Sequence, residues 1–229
     1  MSQISGIHAC IFDAYGTIFD FASAAARCAD IPDDKRGALS ALWRDKQLQY
    51  SWLRTLQGRY ADFWQVTGDA LDFALESLGL ATPARRERLM QLYLTLEAFP
   101  EVPETLRALR QAGFATAILS NGSPAMLDAA VRGAGLLGLF DAVLSADAVK
   151  AFKTDPSVYE YGLRELGVAA REVCFQSSNA WDAYAASAFG MRVVWCNRYG
   201  QHRERLPGAP DHEVRSLTEL PALLEARAN

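Results

Sequence analysis

The sequence predicts an α/β protein, with a parallel β-sheet, helices on both faces and an all-helical cap inserted after the first strand. From Pro103 onwards, short apolar runs alternate with helical segments, and repeated strand-then-helix order is typical of parallel sheets. Residues 20–97 contain no convincing strand and are rich in helix-forming residues. We therefore expect a core domain of residues 1–19 and 98–229, and a cap subdomain of residues 20–97.

The first strand is predicted at residues 7–13, where a short apolar run ends in Asp13 and a Gly16-Thr17 turn follows. Apolar residues at helical spacing predict four cap helices, near residues 20–29, 35–54, 58–79 and 83–97. Typical helix starts at Asp33-Asp34 and Thr82-Pro83, and a typical stop at Gly79, support these helices.

The second half of the chain supplies the other predicted strands, at residues 114–119, 142–145, 172–177 and 192–196. Between them we expect helices from Pro103 to Gly113, from Pro124, from about Asp155 to Leu166 and after Trp181. Residues 199–216 are interpreted as a polar tail with two prolines, and residues 218–227 as a final short helix.

Composition excludes several function classes. The 229 residues are 50% hydrophobic, which suits a globular protein with a sizeable core. The net charge of −4 gives no reason to expect nucleic acid or an anionic membrane as a partner. No apolar run approaches the roughly 18 residues that span a bilayer, and the start of the chain does not resemble a secretory signal. We expect a cytoplasmic protein.

The cysteines and histidines predict neither a disulfide framework nor a zinc site. Four cysteines form no C-x-x-C pair and are interpreted as buried reduced thiols: Cys10, Cys28, Cys174 and Cys196. The three histidines have no metal-ligand spacing, and a His-based triad is not expected.

Polar residues follow three of the predicted strands. They are Asp13 to Thr17, Ser120 to Gly122, and Ser177 to Asp182, with Lys153 before a helix as a fourth polar element. Each has an ordinary structural interpretation, as a turn residue, a helix cap or a solvated lysine. Ligands bind at the carboxyl ends of parallel strands, so the four elements together predict a functional site there.

These motifs resemble the haloacid dehalogenase superfamily, and in detail its 2-haloacid dehalogenase branch. The matching segments cover the chain from end to end, at residues 13–17, 44–54, 119–122, 152–156 and 177–183. The resemblance implies a Rossmann-like core, a helical cap and Asp13 as the nucleophile of a hydrolase. It implies hydrolysis of short-chain 2-haloalkanoic acids, L-2-haloacid to D-2-hydroxyacid plus halide, through an ester on Asp13.

Two departures separate this branch from the phosphatases of the superfamily, which carry a second Asp two residues after the nucleophile and bind Mg²⁺ through paired acids. Here Tyr15 stands at that position, and Asp182 is the single acid of the last motif. Halide leaves without a proton but needs compensation for its developing charge. The resemblance thus implies no metal and no cofactor, with a small 2-haloacid and water as reactants.

The resemblance also implies the catalytic roles. Lys153 keeps the Asp13 carboxylate charged, because a nearby ammonium lowers the pKa of a carboxyl group. Asp182 acts as general base on the water that attacks the ester. Thr17 positions Asp13, and Ser177 and Asn179 orient Asp182, the water and Lys153.

Substrate-binding roles follow in the same way. Ser120, with backbone amides near Tyr15, is matched to the substrate-carboxylate site. Arg44 is matched to the halide acceptor, together with Asn121 and Trp181, although a surface arginine covering apolar residues is an open alternative from spacing alone. An apolar lid is expected from Tyr15, Leu48, Phe63 and Trp181. Tyr159 is matched to a further active-site residue.

Some residues depart from the pattern of the branch. Gln176 lies in a predicted buried strand and needs a hydrogen-bond partner. Tyr184 and Ala185 stand where smaller residues are expected, which puts the substrate range in doubt.

Two other functions stay open. One is a Mg²⁺-dependent phosphatase or phosphonate hydrolase of the same superfamily, and the other is a non-catalytic binding protein. A homodimer is expected from the resemblance, through an aromatic-rich cap surface that could equally be cap core: Trp43, Trp52, Tyr60 and Trp64.

Overall fold

A computed structural model describes residues 3–225, and a six-stranded parallel sheet lies at its centre. The strand order is β3-β2-β1-β4-β5-β6. The strands are β1 (Ala9–Phe12), β2 (Ala115–Ser120), β3 (Ala142–Ser145), β4 (Val173–Ser177), β5 (Arg192–Cys196) and β6 (His212–Val214). The predicted α/β class is confirmed. Because the chain continues to opposite sides of β1, the loops after β1, β2 and β4 lie side by side.

Five helices lie between β1 and β2: α1 (Ser23–Ala26), α2 (Asp33–Leu56), α3 (Phe63–Ser77), α4 (Pro83–Leu94) and α5 (Val102–Gln111). Four more alternate with or follow the other strands: α6 (Pro124–Gly133), α7 (Pro156–Leu166), α8 (Ala180–Phe189) and α9 (Leu220–Leu223). None of the helices in residues 3–225 is long and apolar enough to cross a membrane.

Local hydrogen bonds explain where predicted helix bounds were wrong. The predicted helix at 20–29 shrinks to α1 because the Asp20 carboxylate accepts the backbone N–H of Ala22, forming a turn before the helix. The predicted helix at 58–79 starts later because the Asp62 carboxylate caps α3 by accepting the N–H of Gln65. The final helix begins at Leu220, and the end predicted at 227 lies outside the described residues.

Strand β6 lies in the segment that we interpreted as a polar tail, and this interpretation was wrong. Only three residues long, it pairs with β5 on one side. Its polar neighbours help to hold it, because the Asp211 carboxylate accepts the N–H of Val193 at 2.7 Å and that of Glu213 accepts from Asn197 at 2.7 Å. An edge strand with one buried residue carries too little apolar alternation to be recognised.

The central strand β1 is buried on both faces of the sheet, so its apolar run is continuous. Cys10 and Phe12 pack into one core, and Ala9 and Ile11 into the other. All four cysteines are buried and free, as predicted.

Residues 20–97, which contain α1 to α4, are referred to below as the helical insert. Two adjacent chain segments connect it to the sheet. The N–H of Phe99 donates to the carbonyl of Ile18 at 3.0 Å, and the N–H of Asp20 donates to that of Glu97 at 2.8 Å. The division of the chain into two domains at these segments stays a prediction.

Candidate active site

Three charged side chains meet at the carboxyl end of the central strands. Asp13 follows β1, Asp182 lies in the first turn of α8, and Lys153 precedes α7. The Nζ of Lys153 is 3.1 Å from Oδ1 of Asp13 and 2.9 Å from Oδ2 of Asp182. Lys153 and Asp182 are fully buried and Asp13 is only 5% exposed. One ammonium therefore bridges two carboxylates in a site shielded from water.

The second oxygen of Asp13 is fixed by two donors. The Thr17 hydroxyl donates to Oδ2 at 3.1 Å, and the Asn179 side-chain amide donates to the same oxygen at 2.8 Å. Thr17 is held in turn by the backbone N–H of Ser178, which donates to its hydroxyl oxygen at 2.7 Å. The loops after β1 and β4 thus orient the Asp13 carboxylate jointly.

The electrostatics of the three groups are coupled. Burial acts to lower the pKa of Lys153, but the carboxylates of Asp13 and Asp182 outweigh it and raise that pKa above its ordinary value. Burial raises the pKa of Asp182, and the neighbouring Lys153 ammonium offsets only part of this effect. Lys153 consequently stays charged, while Asp182 is a stronger base than an exposed aspartate.

Tyr159, on α7, completes the coordination of Asp182. Its hydroxyl donates to Oδ1 of Asp182 at 2.8 Å, opposite the oxygen that Lys153 contacts. Burial and the Asp182 carboxylate raise the pKa of Tyr159, so the phenol stays protonated and remains a donor.

Arg44 reaches the site from helix α2 of the helical insert. Its Nη2 donates to Oδ1 of Asn179 at 3.2 Å, and its guanidinium lies 5.2 Å from the ring centroid of Phe21. Because Asn179 also contacts Asp13, Arg44 is one side chain removed from Asp13. The side chain is partly buried and directed inwards, unlike a solvated surface arginine.

A buried polar network behind Arg44 was missed by sequence reasoning. The Oε1 of Gln47 accepts from Arg44 Nη1 at 2.8 Å, and its Nε2 donates to Thr67 at 2.7 Å and to Tyr93 at 3.1 Å. Gln47 belongs to the buried stripe of α2, with Leu39, Trp43 and Ser51. The sequence signal for this network was the position of Gln47 three residues after Arg44, because residues three apart are neighbours on a helix.

Aromatic rings cover this centre. The Tyr15 ring stacks on Tyr93 at 5.5 Å between centroids and lies 5.9 Å from that of Phe63. The rings of Trp181 and Trp52 meet edge to face at 5.3 Å. Leu48 is half-buried on α2, and its carbonyl accepts the Ser51 hydroxyl. The predicted role of Tyr15, Leu48, Phe63 and Trp181 as an apolar lid over the charged groups stays a prediction.

Three predicted residues brace the loops of the site. Ser120 is buried at the end of β2 and accepts the N–H of Gly122 at 3.1 Å. Asn121 accepts the backbone N–H of Lys153 at 2.8 Å, and Ser177 accepts that of Asn179 at 3.1 Å. Their roles toward substrate, halide and water stay predictions.

The donor set is relevant to metal binding. No group of three or more His, Cys, Asp or Glu side chains in residues 3–225 is placed to hold a metal ion. The two closest carboxylates, of Asp13 and Asp182, already share the Lys153 ammonium.

The departures from the branch pattern also have a structural setting. Gln176 donates from Nε2 to the carbonyl of Cys174 at 2.8 Å, but its buried Oε1 has no partner within the described residues. Tyr184 is buried, and its ring meets that of Trp195 edge to face at 6.5 Å between centroids. Ala185 lines an apolar cleft of about 700 Å³ with Tyr159 and Trp181.

Comparison with known proteins adds independent information. A family model described as haloacid dehalogenase-like hydrolase matches residues 7–190. The (S)-2-haloacid dehalogenase 1 of Pseudomonas sp. (strain CBS-3) is 48% identical over 219 residues, which cover 95% of this chain and 96% of the relative. The (S)-2-haloacid dehalogenase 4A of Burkholderia cepacia is 47% identical, covering 97% and 96%.

A solved structure shows the same relationship in three dimensions. The L-2-haloacid dehalogenase of Xanthobacter autotrophicus, with chloropropionic acid covalently bound, superposes with a TM-score of 0.89. It is 39% identical, and the match covers 95% of this chain and 98% of that chain.

Proposed function

Because this chain belongs to the haloacid dehalogenase-like hydrolase family, we propose that it hydrolyses the carbon–halogen bond of short-chain 2-haloalkanoic acids. It converts the L-2-haloacid to the D-2-hydroxyacid and halide, as an (S)-2-haloacid dehalogenase. The observation that supports this proposal is the chain of contacts from Asp13 through Asn179 to Arg44, in which the Arg44 cation lies one side chain from the proposed nucleophile.

The first step is displacement at the halogen-bearing carbon. A carboxylate oxygen of Asp13 attacks that carbon from behind, a C–O bond forms, and the C–X bond breaks with its electron pair leaving on the halide. Inversion at the carbon follows from attack opposite to the leaving group. Lys153, Thr17 and Asn179 hold the carboxylate for attack through the contacts at 2.8 to 3.1 Å.

Charge that develops on the departing halogen requires a cation or hydrogen-bond donors. Arg44 supplies the charge, and Asn121 and Trp181 are proposed to complete the halide site. The apolar boundary of Tyr15, Leu48, Phe63 and Trp181 lowers the local dielectric and strengthens this interaction. We propose Ser120 and the backbone amides near Tyr15 as the site of the substrate carboxylate.

The second step is hydrolysis of the ester. Water attacks the carbonyl carbon of the Asp13 ester, and Asp182 accepts its proton. As the acyl C–O bond breaks, Asp182 returns this proton to the departing oxygen of the 2-hydroxyacid. The new Asp13 carboxyl group then releases a proton to solvent, which regenerates the carboxylate. The raised pKa of Asp182 suits this role, and Tyr159, Ser177 and Asn179 are proposed to keep the base and the water in place.

Single-turnover hydrolysis of L-2-chloropropionate in ¹⁸O-water tests the ester pathway. Because water attacks the ester carbonyl, label is expected in Asp13, and the first-turnover hydroxyacid stays unlabelled. Label found directly in that first product would contradict the pathway. Asp13→Asn is expected to abolish halide release. Phosphate release that depends on Mg²⁺ and is stopped by EDTA, without halide release, would instead support the phosphatase function.

We also propose a cytoplasmic homodimer. Trp43 is buried, and its indole N–H donates to the carbonyl of Thr67, so it belongs to the core of the helical insert. Trp52, Tyr60 and Trp64 are only half-buried, which leaves part of their apolar surface for a second copy. Light scattering of the purified protein should give twice the 25.1 kDa mass of the chain.

A further inference from the structure

Arg198 lies two residues after the end of β5 and has none of the roles proposed above. It contacts both chain segments that join the helical insert to the sheet. Its Nη2 donates to the carbonyl of Thr17 at 2.9 Å on the outgoing segment. On the returning segment, Nη1 pairs with Glu101, and the guanidinium carbon lies 4.0 Å from the ring centroid of Phe99. One planar cation therefore fixes three groups from two segments.

This cluster is shielded from water. The side chains of Arg198 and Glu101 are 10% and 13% exposed. Interactions between partly buried charges are screened by solvent far less than surface pairs. The cluster is accordingly a rigid connection between the sheet and the helical insert, in contrast to the exposed arginine pairs elsewhere in the described chain.

The outgoing contact bears on the nucleophile. The residue whose carbonyl Arg198 binds, Thr17, donates its hydroxyl to Asp13 and accepts the N–H of Ser178. A shift of the Thr17 backbone would move a donor that orients the Asp13 carboxylate.

The orientation of the helical insert bears on Arg44, the proposed halide acceptor. Arg44 is carried by the helical insert and reaches Asn179 across the gap to the sheet. Tyr199, the next residue after Arg198, places its ring centroid 6.4 Å from that of Phe21. The Arg44 guanidinium lies over the same Phe21 ring. The orientation of the insert on the sheet thus sets the position of Arg44 relative to Asp13.

We propose that Arg198, paired with Glu101, is a positioning residue for dehalogenation that holds Arg44 in line with the nucleophile. This inference rests on the proposed function. Arg198 acts through Thr17 and through the two connecting segments, without touching the substrate.

Leaving-group dependence separates positioning from a general loss of structure. Chloride is a poorer leaving group than bromide, so its displacement depends more on stabilisation of the developing anion. If Arg198 positions Arg44, Arg198→Lys should slow single-turnover release of chloride from L-2-chloropropionate more than that of bromide from L-2-bromopropionate. We expect the bromide-to-chloride rate ratio to rise about fivefold, as for a loss of part of one charge interaction.

A matched control lies at the start of β5, the strand that Arg198 follows. Arg192→Lys changes an exposed arginine that pairs with Asp211 at 2.7 Å, and its ratio should equal that of the unchanged protein. Glu101→Gln is the second test variant, since it keeps the side-chain shape and removes the charge that orients Arg198. Glu101→Gln should also raise the bromide-to-chloride rate ratio. It tests the positioning role if Arg198→Lys does not fold.

The outcomes are distinct. A raised ratio in folded Arg198→Lys or Glu101→Gln, with the control unchanged, supports the proposal. Equal slowing of both halides in both variants would overturn it, because that result describes a smaller active fraction. If the unchanged protein releases no halide from either substrate, the proposed function itself fails.

Discussion

The Tyr159 hydroxyl donates a 2.8 Å hydrogen bond to Oδ1 of Asp182, and both side chains are buried. This donor stabilises the ionised carboxylate and so lowers a pKa that burial has raised. The pH profile of the reaction should therefore depend on whether this hydrogen bond is present.

The pH dependence of ester hydrolysis should have an acid limb above the usual range of an aspartate. Asp182 must be deprotonated to act as base, and its raised pKa means that protonation occurs at higher pH. Tyr159→Phe removes a stabilising donor, so the pKa rises further and the limb should move to higher pH. The profile of kcat measures both effects. Tyr161→Phe, two residues along the same helix and partly exposed, is the control and should leave the limb in place.

Replacing the bridging lysine should remove both activity and stability. Lys153→Met leaves two buried carboxylates without their cation, and breaking such a buried pair costs about 3–5 kcal/mol. We expect a fall of this size in the free energy of unfolding, measured with urea, and halide release reduced by about 10³-fold or more. The exposed Lys150, paired with Asp147 at 2.8 Å, provides the comparison. Lys150→Met should cost less than about 1 kcal/mol, and an equal loss in the two variants would contradict the bridging role.

The proposed role of Arg44 as halide acceptor can be tested without removing its charge. Arg44→Lys keeps a cation on α2 but loses the planar group that contacts both Gln47 and Asn179. Chloride release is expected to slow by about 10²-fold, as when one oriented donor to a developing anion is lost. Arg36→Lys, on the same helix and in an exposed pair with Asp33, should be neutral. Full activity of Arg44→Lys would exclude Arg44 as the acceptor.

Gly122 should be needed because of the ring beside it. A Cβ atom there would lie 2.8 Å from Cε2 of Tyr15 and 3.1 Å from Cδ2 of Leu127. Gly122→Ala should therefore cost about 1–3 kcal/mol of unfolding free energy and displace Tyr15 from the apolar boundary, lowering kcat/KM. Gly133→Ala in α6 meets no atom within 4 Å and should be stabilising by up to about 1 kcal/mol. A stable, fully active Gly122→Ala protein would show that the Tyr15 ring has room to move.

Residues at strand ends were predictable because parallel topology brings them together. Asp13 and Asp182, far apart in the chain, both contact Lys153, as expected for loops that leave the same edge of a sheet. The inward direction of Arg44 followed from helical spacing and the resemblance, and not from spacing alone. Short sequence motifs contain these residues, so the positions of the residues could be predicted without the structure.

Contacts between distant elements were not predictable in the same way. Gln47 joins α2 to Thr67 on α3 and Tyr93 on α4, and this depends on how three helices pack. The attachment of Arg198 to Thr17 and Glu101 depends likewise on chain segments far apart in sequence. No local periodicity specifies such partners, since propensity and amphipathicity describe one element at a time.

The charged centre has matched formal charges, with carboxylates on Asp13 and Asp182, a buried cation on Lys153 and a partly buried one on Arg44. Under the proposed function, a bound haloacid would give the occupied pocket one excess negative charge, and displacement would redistribute that excess without changing it. Departure of the halide would return the ester-bearing pocket to electroneutrality. Exit of the anion before water attacks is therefore the expected order of the catalytic cycle.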